Sequence, residues 1–429
     1  MDNVGLYRSY AALLVGAVVP IYCGAHASIQ VPKSVKHKWR EISGKKLTKE
    51  EQHEEDEEDD VERLTAEDAY IFPILGSCVL FGLFLAFKYL DKALLNKILG
   101  GYVALMGIGA LGRTMGDVLK LALGAKRNAQ LAKYSLSLKK KHDGKSADQF
   151  RVTFTRLHVF SALSAVALAL AQQYTQYWVL SNVLALSAAY TAIGLFYVDS
   201  FATGSILLAG LFLYDIWWVF GSKAAFGEGA DVMVSVAKNF DAPIKIVFPK
   251  DLANAKDFTL LGLGDIVLPG SFLALALRFD YHQAIKRALS RSSSPPRPSE
   301  RFAKPYFFSC FAAYIAGLAL TIFVMHFFRA AQPALLYLSP ACTGSVTLLA
   351  LLRGESKELW GWEDGKEERE ERERKEKAQK ENEERRNDDV EEDKDSTGAG
   401  VESAGSTVET RSIDIGGGRV LRSRAVAKK

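Results

Sequence analysis

Residues 211–218 are LFLYDIWW and residues 261–267 are LGLGDIV, and each stretch lies within an apolar run. Both place a carboxylate, Asp215 or Asp265, where a sequence of this kind normally carries no charge. A carboxylate near the centre of a bilayer costs about 2.5–3.5 kcal/mol on insertion scales. One such residue could be a structural hydrogen-bonding group. Two in consecutive apolar runs need a joint explanation.

The rest of the chain separates apolar and charged residues in the same way. Of its 429 residues 48% are hydrophobic and 24% are charged, and the charges collect in loops and in one long tail. Lipid-facing stretches of about 20 residues cannot carry exposed charge, so this separation indicates a polytopic membrane protein. The net charge of +4 averages blocks of opposite sign and gives no indication of nucleic-acid binding.

We expect an all-α protein with nine transmembrane helices. The apolar runs are 10–30, 70–90, 98–121, 157–173, 178–198, 202–221, 258–277, 305–328 and 333–352. Residues 10–27 could instead be a cleaved signal peptide, with Ala25-His26-Ala27 as its cleavage site. The basic residues follow this segment instead of preceding it, which favours a retained first helix with its N-terminus on the lumenal side.

The distribution of Lys and Arg among the loops agrees with nine spans. The loop 120–156 holds ten Lys and Arg against two Asp, whereas loop 222–257 balances five Lys with five acidic residues. Because Lys and Arg accumulate in cytoplasmic loops, the first loop and the C-terminus are predicted to be cytoplasmic. The acidic block 51–60 and the tail after 353 have the composition of disordered segments. We therefore divide the chain into 1–65, a helical core at 66–353 and a disordered tail at 354–429.

The two aspartates are predicted to lie at the same depth. Asp215 lies six residues before the end of the sixth span and Asp265 seven residues after the start of the seventh. At 1.5 Å per residue these positions are roughly 9 and 10 Å from the lumenal surface. The spans are antiparallel, so the carboxyls can meet between the two helices.

Two carboxyls in one dry site cannot both ionise cheaply, so they are expected to share one proton near neutral pH. The ionised partner can then activate a water while the protonated partner donates to a peptide carbonyl. This chemistry needs no metal or other cofactor. Gly262 and Gly264 remove side chains beside Asp265 and would let another backbone approach.

Three motifs together resemble the signal peptide peptidase family, relatives of presenilin with the opposite membrane orientation. They are Tyr214-Asp215, Gly262-Leu263-Gly264-Asp265 and Pro333-Ala334-Leu335, in spans six, seven and nine. The likeness extends through 214–222, 232–249, 262–270 and 332–340 and covers essentially all of 66–353. A proline at a helix start is ordinary when it stands alone. The three motifs in order are specific.

The resemblance implies an intramembrane aspartyl endopeptidase of the endoplasmic reticulum membrane. Its substrates would be signal peptides and type II membrane proteins, and its catalytic residues would be Asp215 and Asp265. The residues implied to line the site are Tyr214, Gly262, Gly264, Gln332, Pro333, Ala334 and Leu335. Reticulum quality-control proteins and a second copy of the chain are further partners that it allows.

Residues 232–249 alternate apolar and polar residues and include many β-branched ones, which predicts short strands in the loop between spans six and seven. These strands adjoin both aspartate-bearing helices. We hypothesise that they and the backbone near Pro333 pair with an unwound substrate segment as an added strand.

Two other classes of function fit part of the pattern. In a transporter or channel, Asp215 and Asp265 would bind a cation or relay protons, but such a relay usually aligns more intramembrane ionisable groups than this chain has. A protein that only captures transmembrane helices could keep the scaffold, yet nothing would then require both aspartates. Proteolysis accounts for the pair.

Overall fold

The computed structural model describes most of the chain. The described residues are 3–43, 63–129, 133–142, 145–222, 236, 244–250, 257–291, 293–328, 332–366, 369–370, 374 and 377. The acidic block 51–60 and nearly all of the tail beyond 366 lie outside them, so their predicted disorder stays a prediction.

Eleven α-helices lie within the described residues. They are α1 (Asn3–Ala27), α2 (Lys33–Ser43), α3 (Ala66–Tyr89), α4 (Lys92–Ala129), α5 (Arg156–Thr175), α6 (Trp178–Leu195), α7 (Phe201–Ile216), α8 (Gly264–Ser290), α9 (Pro305–Phe328), α10 (Leu335–Arg353) and α11 (Ser356–Gly361). Eight of them are long and apolar enough to cross a membrane, namely α1, α3 to α7, α9 and α10. The predicted polytopic all-α architecture is confirmed.

Helix α8 is the seventh predicted span, and it differs in character from the other eight. It is 27 residues long, but it carries Arg278 and Asp280 in its second half. Nearly all of its side chains from Ile266 to Ile285 are buried. Helices α1, α6, α7, α9 and α10 pack around it. Because protein surrounds α8, it can carry polar groups that a lipid-facing helix could not.

The structure corrects the start of this span. Residues Phe258–Gly262 form a strand, β6, which pairs antiparallel with β5 (Lys245–Pro249). Short apolar runs fit a strand and a buried helix equally well by periodicity, which is why 258–262 was assigned to the span. The helical depth estimate for Asp265 is therefore wrong, since Asp265 lies in the first turn of α8.

The predicted hairpin in the loop between spans six and seven is confirmed at Lys245–Pro249, although its second strand comes from 258–262. Most of 232–243 lies outside the described residues. The remaining strands are β1 (Arg63–Leu64), which is parallel to β4 (Tyr197–Val198), and β2 (Lys133–His142), which is antiparallel to β3 (Lys145–Thr155). The β2–β3 pair occupies the basic loop 120–156 and was not predicted.

The core depends on close packing of α1 and α6 against α8. At Gly270 of α8, an added Cβ would lie 2.7 Å from Cδ1 of Ile193 and 3.2 Å from Cγ1 of Ile21. Ile193 and Ile21 are both fully buried. A glycine at this position is what lets the three helices meet, as small residues do in many membrane bundles.

At the end of the bundle opposite the aspartates, the chain after α10 folds back onto α8. Arg278, whose side chain is 3% exposed, lies 2.8 Å from Asp364 through its Nε, as an ion pair without hydrogen-bond alignment. Arg63 lies 3.8 Å from the same carboxylate. The folded part of the chain thus continues to Lys366, which is later than the predicted boundary at 353.

Further contacts hold this returning segment in place. The ring of Trp362 packs edge-on against Phe279 of α8 at 5.2 Å and lies 6.1 Å from Phe201 at the start of α7. Lys286 of α8 donates to Glu358 of α11, and this hydrogen bond lowers the pKa of the Glu358 carboxyl. The segment therefore ties together the far ends of the two aspartate-bearing helices.

Replacing Asp364 with alanine is expected to leave Arg278 buried without its counter-charge. Breaking one side of a buried ion pair typically costs about 3–5 kcal/mol. We expect a clear drop in the thermal unfolding midpoint of the detergent-solubilised protein. Lys366→Ala, which removes only the exposed 3.6 Å pair with Glu363, is the control and should change the midpoint little. Equal midpoints for the two variants would contradict this role of Asp364.

Candidate active site

Asp215 lies at the end of α7, one residue before the helix ends at Ile216. It is 4% exposed. A wide π-type turn, Trp217–Gly221, follows at once. The Nε1 of Trp218 in this turn donates to the Ser77 hydroxyl of α3 at 3.1 Å. Such turns are common at functional sites, and here the turn fixes the end of the helix directly after the carboxylate.

Asp265 lies in the first turn of α8, directly after strand β6. An added Cβ at Gly262 would lie 3.6 Å from Oδ2 of Asp265, and one at Gly264 would meet no atom within 4 Å. Gly264 is exposed and Asp265 is half-buried. One side of the Asp265 carboxyl therefore borders a glycine backbone, and the chain beside it at Gly264 faces open space.

Asp265 lies within reach of the charge of Asp215. Asp215 is the charged group whose electrostatic field Asp265 experiences. The backbone N–H of Leu335, the first residue of α10, donates a hydrogen bond to the Asp215 carboxyl. The first N–H groups of a helix have no partner within it, so Leu335 offers a donor that the helix itself cannot satisfy. The end of one helix and the starts of two others meet at this point.

The three residues Pro333, Ala334 and Leu335 form the approach to α10. Pro333 and Ala334 are buried and precede the helix, while Leu335 is 4% exposed and packs with Leu207 and Leu211 of α7. The motif thus fixes α10 against the helix that carries Asp215. Gln332 is half-buried and, among the described residues, hydrogen-bonds to neither carboxyl.

Two tyrosines, Tyr214 and Tyr314, interact with the residues of the pair. Tyr214 packs against Trp218, with ring centroids 6.4 Å apart. It interacts electrostatically with Asp215, yet within the described part of the chain its hydroxyl bonds to neither aspartate. Tyr314 of α9, fully buried, donates to the backbone carbonyl of Asp265 at 3.3 Å. Sequence analysis missed Tyr314, because a tyrosine in an apolar span has no motif around it.

An apolar groove of about 510 Å³ runs beside the site between α3 and α7. Pro73, Ser77, Gly210, Tyr214 and Trp217 are among its lining residues. At Gly210 an added Cβ would lie 2.6 Å from Cγ of Pro73, so the glycine allows the two helices to touch. The groove opens on the surface of the bundle next to Tyr214, which neighbours Asp215.

A third aspartate of the bundle has a different role. Asp280 of α8 accepts hydrogen bonds from the backbone N–H groups of Phe307 at 2.8 Å and Tyr306 at 3.3 Å. Both N–H groups belong to the first turn of α9. Asp280 therefore provides acceptors for N–H groups at the start of α9 that have no partner within that helix. This structural role accounts for a buried aspartate here. In the parts of the chain that the structure describes, no cluster of three or more His, Cys, Asp or Glu could hold a metal ion.

Comparison with known proteins agrees with this arrangement. A family model described as "Signal peptide peptidase" matches residues 56–366. A signal peptide peptidase of Mus musculus is 37% identical over 365 residues, covering 84% of each chain. A probable intramembrane protease of Schizosaccharomyces pombe is 35% identical over 315 residues, covering 73% of this chain and 89% of that one. The chain belongs to the signal peptide peptidase family and is an intramembrane aspartic protease.

Proposed function

We propose that the protein cleaves transmembrane segments of signal peptides and of type II membrane proteins, with Asp215 and Asp265 as its catalytic pair. The observation that carries this proposal is that Asp215 at the end of α7 and Asp265 in the first turn of α8 lie close enough for the charge of Asp215 to act on Asp265. The substrate class rests on the names of the relatives, which are signal peptide peptidases. Type II membrane proteins present a helix in the same orientation as a retained signal peptide.

In the first step, a water oxygen attacks the carbonyl carbon of the scissile peptide bond. The ionised aspartate takes the water proton, and the protonated aspartate gives its proton to the carbonyl oxygen, which produces a neutral gem-diol. A hydrogen bond to the charged form of a carboxyl favours that form. Because Leu335 donates to Asp215, we assign the base role to Asp215 and the acid role to Asp265.

In the second step, the gem-diol collapses and the C–N bond breaks. Asp215, now protonated, gives its proton to the leaving nitrogen, while Asp265 takes a proton from one gem-diol hydroxyl as the new carboxyl group forms. The pair then holds one proton again, so the enzyme is ready for another water. No covalent intermediate arises in this sequence.

The other predicted site residues are assigned as lining. Gly262 and Gly264 keep the backbone beside Asp265 free of side chains, and Gly264 faces open space. Pro333 and Ala334 lead to the Leu335 N–H that contacts Asp215. Tyr214 precedes Asp215 in the chain and Gln332 precedes Pro333, and among the described residues neither side chain hydrogen-bonds to either carboxyl.

We place the enzyme in the endoplasmic reticulum membrane, with the N-terminus lumenal and the C-terminus cytoplasmic. The basic loop 120–156 and the segment 291–304 after α8, which holds four Lys and Arg against one Glu, support this orientation, since Lys and Arg mark cytoplasmic loops. Quality-control proteins of the reticulum and a second copy of the chain are proposed partners, on the family resemblance alone.

Asp215→Asn and Asp265→Asn should each abolish cleavage of a signal-peptide-like substrate by the purified protein. The remaining carboxyl cannot act as acid and base in one turnover, and acid–base catalysis contributes about 10²–10⁴-fold per group. Product formation is measured by mass spectrometry, and folding is measured by thermal unfolding. Asparagine keeps the volume of each side chain, so both variants should remain folded.

Asp280→Asn is the matched control, because it changes the other aspartate of α8, which is buried. It should lower the thermal midpoint, through the weakened contact with Phe307 and Tyr306, and leave cleavage by the folded fraction unchanged. Cleavage at the wild-type rate by either Asp215→Asn or Asp265→Asn would disprove the catalytic pair.

The shared proton predicts a bell-shaped dependence of cleavage rate on pH. In acid both carboxyls hold a proton and no base remains; in alkali both are ionised and no acid remains. The rate is measured across pH in lipid nanodiscs, with thermal unfolding recorded at each pH to separate loss of activity from loss of fold. A rate that rises to a plateau on one side only would show that a single ionisation controls the reaction.

The hairpin offers a free edge for a substrate strand. The N–H of Leu263 donates to Ile244 at 3.0 Å and that of Lys250 donates to Asp257 at 2.8 Å, so the odd-numbered residues of β6 face β5. In an antiparallel pair these alternate with residues whose backbone points away. The N–H and C=O of Leu260 therefore face outward, where extended peptides add to a sheet.

Leu260→Pro should slow cleavage while leaving the protein folded. Proline is tolerated on an edge strand where the lost N–H faces away from the partner strand, and here the lost N–H is the one that a substrate strand would use. We expect kcat/KM to fall about tenfold, the effect of one lost interaction of 1.4 kcal/mol. Leu260→Ala, which shortens the side chain but keeps the N–H, is the control. Equal kcat/KM for the two variants would count against strand addition at β6.

A further inference from the structure

Asn182 makes a pair of hydrogen bonds that the catalytic chemistry does not explain. It lies in the second turn of α6 and is 5% exposed. Its Nδ2 donates to the carbonyl of Val247 at 2.7 Å, and its Oδ1 accepts from the N–H of Val247 at 2.9 Å. A side-chain amide bonded in this way to both backbone groups of one residue takes the place of a neighbouring strand.

The side chain occupies the outer edge of β5. Val247 lies opposite Leu260 in the hairpin, and both of its backbone groups point away from β6 toward Asn182. Two residues further along the same edge, the carbonyl of Pro249 accepts from the Ser9 hydroxyl of α1 at 2.6 Å. Helices α1 and α6 thus cover the edge of β5 that could otherwise pair with another chain.

The outer edge of β6, unlike that of β5, is exposed. Leu260 is 55% exposed and Phe258 is 37% exposed. Among the described residues, no group bonds to the outward backbone of Leu260. This strand passes through Gly262 directly into the first turn of α8, three residues before Asp265. A strand added along β6 would therefore run toward the catalytic pair, and one added along β5 would not.

The same helix connects the hairpin to the catalytic helix. Asn182 and Trp178, one turn apart on α6, both contact β5; the Trp178 ring packs edge-on against Phe248 at 5.8 Å. Three turns further on, Ile193 packs at Gly270 of α8. Helix α6 thus spans the distance between the hairpin and α8 as one rigid element.

We propose that Asn182 is a positioning residue for intramembrane proteolysis. Its amide closes the outer edge of β5 and fixes the height of the hairpin, so that a substrate can pair only with β6 and meets Asp215 and Asp265 at one defined peptide bond. This inference rests on the proposed function, because it assigns the substrate strand to β6.

The test replaces Asn182 with residues of similar volume. Asn182→Leu removes both hydrogen bonds, and Asn182→Asp keeps the acceptor for the Val247 N–H but sets an oxygen against the Val247 carbonyl. For both variants we expect kcat to fall about tenfold, which corresponds to 1.4 kcal/mol. We also expect cleavage to spread from one peptide bond to its neighbours, as read by mass spectrometry of the products.

The control is Thr191→Val on the same helix, which removes the hydrogen bond to the Ala110 carbonyl of α4 at 3.2 Å and touches no strand. It should lower the thermal midpoint without changing the cleaved bond. A merely structural role for Asn182 would lower activity in proportion to the folded fraction and keep a single cleavage position. That result, or wild-type kinetics in Asn182→Leu, would overturn the proposal.

A second measurement does not depend on catalysis. Amide hydrogen exchange at Val247 should be at least tenfold faster in Asn182→Leu than in the wild type, and unchanged in Thr191→Val. If the wild-type protein cleaves no substrate but Val247 exchange responds in this way, the proposed function fails and the anchoring of the hairpin stands. If the wild type cleaves and Val247 exchange does not respond, the anchoring role of Asn182 fails alone.

Discussion

The hydrogen bond from the Leu335 N–H to the Asp215 carboxyl is the contact on which the site depends. A buried carboxylate is expensive unless donors stabilise it, and a helix start leaves N–H groups without partners. Where the start of α10 meets the end of α7, the carboxylate gains a donor and the first N–H of α10 gains an acceptor in the same contact. Pro333 contributes by having no N–H of its own and by leading the chain into that helix start. Residues that are unremarkable one by one in the sequence thereby act together on one carboxylate.

The position of α8 follows from the same constraint on polar groups in a membrane. This helix carries Asp265, Arg278 and Asp280, and each polar group has a protein partner or a neighbouring charge. Five other helices surround it, so none of these groups needs to face lipid. Gly270 is what allows α1 and α6 to approach closely enough for that enclosure. At the far end, Asp364 and Trp362 hold α8 in place through an ion pair and aromatic packing.

In the mechanism that we propose, strand β6 links substrate binding to catalysis. Irregular or extended backbone is tolerated at membrane depth only where protein or a cavity surrounds it. The hairpin satisfies one edge internally through Asn182 and Ser9. The edge of β6, which leads into Asp265, keeps outward-facing groups. We propose that a peptide lying along it exchanges its own helical hydrogen bonds for strand hydrogen bonds, which would stabilise an unwound segment beside Asp215 and Asp265.

The sequence by itself determined the membrane class, eight of the spans to within a few residues at most boundaries, and the two aspartates as the charges that need a joint explanation. These features can be recognised within a single stretch of sequence, because an apolar run long enough to span lipid, and a charge inside it, do not depend on contacts with other parts of the chain. It did not determine that 258–262 is a strand, since a short apolar run fits either structure. Nor could it find the roles of Leu335, Tyr314, Asn182 or Asp280, which lie 26 to 120 residues from the groups they bond. Only the tertiary structure decides such pairs, because a hydrogen bond depends on distance in space and leaves no periodic pattern along the chain.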